Sequence, residues 1–140
     1  MATAGDAEVI LRLYDIRREE TLRQARKFMI FDFQPQSLEE LRAVSRDTKS
    51  PQNAAWRQVM SYWEMAATFV LRGAVDADLF LDSNGEGVLL YAKFHHWHAE
   101  TEKLSGNPFM RNTAKLIEQY PAARAMHQSM LKMVGPKPAA

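Results

Sequence analysis

A chain of 140 residues, 46% hydrophobic and 25% charged, can close one core without disulfides or metal, which leaves disorder to its ends. Eighteen basic against seventeen acidic residues give a net charge of +1, so no overall field favours nucleic acid or an anionic membrane. Cysteine is absent, which excludes disulfide frameworks, thiol nucleophiles and cysteine-ligated zinc, and fits a reducing cytoplasm.

Residues 1–5 are expected to be flexible, residues 6–134 to form a single helical domain, and residues 135–140 (GPKPAA) to be a flexible tail. The opening MATAGDAEV lacks the basic region and apolar run of a signal peptide. Nowhere do about eighteen apolar residues run uninterrupted, so no membrane span and a cytoplasmic location are expected. The first helix is read from Asp6, as its cap, to about Ile30. Val9, Ile10, Leu13, Ile16, Leu22, Ala25, Phe28 and Met29 are its candidate buried positions. The charged turn Arg17-Arg18-Glu19-Glu20 interrupts that stripe, so the helix either bends or offers its halves to different neighbours.

Pro35 closes this element, and Ser37 with Glu40 forms a capping box for a short helix carrying Leu38, Leu41 and Val44. Ser50-Pro51 reads as the next helix start. From there Trp56, Val59, Met60, Trp63, Ala66, Ala67, Val70 and Leu71 repeat at three- and four-residue steps, and Gly73 ends the run. Asp76 caps a short helix over 77–81, and Asp82-Ser83-Asn84-Gly85 is a turn. One helix is then read from about Glu86 to Lys103. Asn107 and Pro108 start another, and Pro121 divides it from a last helix bearing Met126, Met130, Leu131, Met133 and Val134. No strand alternation or hairpin signal is present. The expected fold is an all-α, single-domain helical bundle of about five to seven helices with no β-sheet.

The chain resembles a bacterial family of small helical domains of unknown function. The likeness is carried by Tyr14-Asp15-Ile16-Arg17, Ala25-Arg26-Lys27-Phe28, Tyr62-Trp63-Glu64, Leu71-Arg72-Gly73-Ala74-Val75-Asp76, Asp78-Leu79-Phe80 and Trp97, over roughly residues 10–120. The resemblance implies a helical domain and supplies no catalytic residues. The resemblance implies that some relatives carry a membrane helix ahead of the domain; none is read in this sequence, so a membrane-associated role is not expected.

Several groups could bear chemistry. On one regular helix His95, His98 and Glu102 would share a face at i, i+3 and i+7, offering two imidazoles and a carboxylate to a metal; the ordinary alternative is an exposed face beside Trp97. Glu64, at the edge of the tryptophan stripe, is either a half-buried acid or base or the partner of Arg17 or Arg72. Arg12, Arg17, Arg18, Arg23, Arg26 and Lys27 could meet phosphates. Asp15, Glu19 and Glu20 lie among them, however, and Glu19 to Arg23 is the favourable ion-pair order. Met126, Met130 and Met133 are either core or a pliable docking stripe. The acidic run from Asp76 to Glu86 fails as a calcium loop, because Leu79, Phe80 and Leu81 fill its middle. No phosphate-binding glycine loop or nucleophile elbow is present.

The sequence therefore favours a non-enzymatic interaction or scaffold domain without cofactor, partnered by a second copy or another protein through apolar helix faces. The alternatives are a metal-binding protein or enzyme built on His95, His98 and Glu102, and nucleic-acid binding through the first helix.

Overall fold

The computed structural model describes residues 1–134, and every regular element among them is helical. There are nine α-helices among those residues, where five to seven were expected: α1 (Ala4–Arg17), α2 (Glu20–Lys27), α3 (Leu38–Ser45), α4 (Asn53–Leu71), α5 (Ala77–Ser83), α6 (Glu86–Lys93), α7 (His98–Ser105), α8 (Arg111–Gln119) and α9 (Pro121–Val134). A π-turn over Phe28–Asp32 and a 3-10 turn over His95–Trp97 complete the set. The excess arises because two of the expected helices, the one read from Asp6 to about Ile30 and the one read from about Glu86 to Lys103, each break in two. The expected flexible tail, residues 135–140, lies outside the described residues.

Contacts sort the described residues into two compact units, Leu11–Tyr62 and Met1–Ile10 together with residues 63–134. The helices α1 and α4 contribute residues to both.

In the unit Leu11–Tyr62 the charged turn is where the first long helix divides. The amides of Arg18 and Glu19 close α1 with tight bonds to Asp15 and Ile16. The Glu19 carboxylate then accepts from the amides of Thr21 and Leu22, both at 3.0 Å, and caps α2. Those two bonds hold the Glu19 carboxyl below the usual range. A cap that satisfies two orphan amides competes directly with helix continuation, and here it wins. At its other end, in the unit that contains Met1–Ile10, the helix expected to begin at Asp6 starts two residues earlier: Thr3 Oγ accepts from the Asp6 amide, and Asp6 Oδ2 accepts back from the Thr3 amide.

The chain leaves α2 through the π-turn, whose wider, five-residue turn brings the Phe33 amide to the Phe28 carbonyl at 2.8 Å and stacks the two rings 5.4 Å apart. Trp56 meets Phe33 edge-on at 6.5 Å. Ser37 caps α3 as expected, its Oγ accepting from the Glu40 amide at 3.1 Å. Ser50-Pro51 forms a turn rather than the first helical residues, so α4 starts at Asn53. The Asn53 side chain, 1% exposed, donates to the Val44 carbonyl at 2.7 Å and accepts from Arg57 Nε at 2.8 Å. The Tyr62 hydroxyl donates to the Leu13 carbonyl.

In the other unit Gly73 ends α4 in the left-handed conformation at φ 77°, and Asp76 caps α5 through the Leu79 amide at 2.9 Å. Both follow the sequence expectation. Trp63 is buried, and its indole Nε1–H donates to Glu86 Oε2 at 2.7 Å. Helix α6 approaches closely at this point because Gly87 has no side chain; a Cβ there would stand 3.2 Å from the Trp63 Cβ. Helix α9 packs on α6 and α8. Its Met126 and Met130 lie over Gly85, whose missing Cβ would meet the flexible Met130 Cε at 3.2 Å.

The two glycines are therefore expected to respond differently to alanine. Gly87→Ala pushes on atoms beside the α4 backbone and should lower the unfolding free energy by about 1–2 kcal/mol despite its better helix propensity. Gly85→Ala displaces only a methionine tip and should be close to neutral. Chemical denaturation of the two variants measures this, and equal effects would contradict it.

Candidate functional site

The group in which unpartnered buried polar atoms collect lies where α6 ends. Leu90, Ala92 and Phe94 are fully buried, so α6 is enclosed on more than one side. At Phe94 (φ −98°, ψ 11°) the helix opens into the turn His95–Trp97 and restarts at His98. The continuous helix expected over 86–103 is thus broken, and the i, i+3, i+7 face with it. The break turns His98 inward, 7% exposed, and leaves His95 and His96 on the surface.

The His98 ring stacks on Phe109 at 4.6 Å and lies 4.2 Å from the Tyr91 ring. His95 stands 5.2 Å from His98. A further imidazole arrives from α9: His127, 9% exposed, is 5.1 Å from Tyr91 and 5.7 Å from His95. His98 Nε2, His127 Nε2 and Thr101 Oγ1 are buried without a hydrogen-bond partner.

Burial and then the neighbouring His95 push the His98 pKa down to about 4, against the pull of its hydrogen bond with the Tyr91 backbone. Because Nε2 has no partner, that bond must come from Nδ1–H to the Tyr91 carbonyl. This fixes the neutral tautomer and leaves a bare lone pair on Nε2. His127 is pushed down by burial and by His95 as well. Burial, and secondarily the Glu102 charge, raise the Tyr91 phenol. Lys93, 5.6 Å over the Phe94 ring, is lowered by burial to about 8.

Of the sequence candidates, the structure brings His95 and His98 together but sends Glu102 elsewhere. Its Oε1 accepts from the Phe109 amide at 3.1 Å, holding the loop before α8. Among the described residues, no three His, Cys, Asp or Glu side chains are arranged to hold a metal ion. His127 was missed from sequence. Its signal was position alone, since Ala123, Met126, His127 and Met130 fall on one face of α9.

Glu64 is neither paired as expected nor placed beside an acid–base partner. Its carboxylate accepts from the amides of Asn112 and Thr113, both at 2.9 Å, and from Thr113 Oγ1 at 2.7 Å. It caps α8 from across the chain. Asn107, the expected cap, instead bonds Ser105, and Met110 just ahead of α8 takes a left-handed conformation at φ 44°.

Four of the six basic residues, Arg17, Arg18, Arg23 and Arg26, have local partners. Arg17 and Arg18 lie over the Tyr14 ring at 4.9 and 5.3 Å, and Arg23 pairs with Glu20 at 2.8 Å in place of the expected Glu19. An open cleft of about 290 Å³ lies between α2 and the start of α4, lined by Thr21, Gln24, Phe28, Gln52 and Gln58 among others. None of its lining side chains titrates between pH 2 and 12, so it offers no general acid or base.

Surface apolar groups concentrate on α1. Leu13 is its one buried residue, with Asp6, Val9, Ile10 and Arg17 half-buried on the same side. Leu11 is 62% exposed and Tyr14 and Ile16 are each 43% exposed, although Ile16 was expected inside. Elsewhere Phe31, Met65, Leu104 and Met133 are exposed, so the methionine stripe of α9 divides, with Met133 outward. No helix among the described residues is long and apolar enough to cross a membrane.

A family model for a domain of unknown function (DUF4760) matches residues 2–120, from the start of the chain to the end of α8. No curated protein and no solved structure matches the chain.

Proposed function

The chain belongs to this family of domains of unknown function, and from that premise we propose that it is a non-enzymatic helical interaction or scaffold domain acting through α1. The observation that carries the reading is that α1 buries Leu13 alone while presenting Leu11, Tyr14 and Ile16 to solvent. Large apolar side chains left partly to solvent along one helix mark a contact surface. The arrangement of the titratable groups supports it: Glu64 and Glu102 are occupied by backbone amides, and the cleft lacks an acid or base.

The reading includes a single domain over residues 6–134, for which one unfolding transition reported alike by probes in both units is the signature. It also places the protein in a bacterial cytoplasm, where fractionation of the source cell would find it.

Replacing Leu11 and Tyr14 together by Glu tests the function. The variant should keep the helicity and unfolding midpoint of the parent, because both positions face water, and should lose association measured by light scattering or partner capture. A parent that stays monomeric and captures no protein would sink the reading.

A second reading, metal binding or catalysis by the His95, His98 and Glu102 region, is supported by the proximity of His95 to His98 and by the unpartnered Nε2 of His98. Stoichiometric metal that disappears in His95→Ala, His98→Ala protein would favour it; metal content unchanged by those substitutions would end it.

A further inference from the structure

We draw no further inference here: the strongest candidate, the side-chain cluster of His95, His98 and His127 where α6 ends, belongs to the site already described, and its three imidazoles are not arranged to hold a metal ion.

Discussion

Taking the protein from pH 7 to pH 5 is expected to lower its unfolding free energy by about 2 kcal/mol through His98 alone. The sign follows from where the proton sits. Burial holds the folded-state pKa near 4, whereas the unfolded side chain titrates near its ordinary value of 6.5. Between those values the unfolded chain binds the proton and the folded one refuses it. Stability from this source is therefore complete above pH 6.5, declines as pH falls through that value, and is exhausted below pH 4 at a total of about 3 kcal/mol. His127, also pushed down by burial, adds to the loss in the same direction.

The groups facing His98 do not rescue it. Tyr91 offers a carbonyl already engaged with Nδ1–H, His95 and His127 repel a second positive charge, and Glu102 is bonded to the Phe109 amide. His98→Phe keeps a ring against Tyr91 and Phe109 and removes the titration. Its unfolding free energy should be flatter between pH 6.5 and 4, whatever its value at pH 7. Parallel profiles for parent and variant, measured by urea denaturation across that range, would contradict the assignment.

The second large effect is expected at Glu64. Glu64→Ala removes three bonds at the start of α8 and leaves the Thr113 hydroxyl and amide, on a residue 2% exposed, without an acceptor. Losing a cap and stranding buried donors should cost about 3 kcal/mol. Thr113→Val removes one of the three bonds and should cost about 1 kcal/mol. The helices α8 and α9 should show raised amide exchange in both variants, more so in Glu64→Ala. A change within about 0.5 kcal/mol for Glu64→Ala, the range of ordinary surface substitutions, would mean that the carboxylate does not hold α8.

These two groups also mark the limit of what was legible in the sequence. Local signals read well. Ser37 before Glu40, Gly73 after the long stripe, Asp76 and Pro121 each act within a few residues of their own position, and each stands where expected. The all-helical class followed from the same kind of evidence. What stayed hidden depended on distant partners or on competition between near-equal conformations. Glu64 is 48 residues from Asn112, so nothing around it announces a cap. His127 lies on an apolar face between methionines, and its meeting with His95 and Tyr91 needs α9 folded onto α6.

The break at His95–Trp97 carries no glycine or proline. It arises where Phe94 leaves the helical region, a choice made by packing rather than by local chemistry. The face of α1 was hidden because apolar residues occur all round it. Leu13 and Leu11 are two residues apart and point opposite ways, and the sequence does not say which neighbour is present.

The central claim, that α1 is a contact surface, is tested most directly by hydrogen–deuterium exchange of the unmodified protein at increasing concentration. The account predicts that amides of residues 4–17 exchange more slowly as concentration rises, while those of α5 and α8 are unchanged. Exchange in α1 that slows neither with concentration nor in the presence of a captured protein would contradict it.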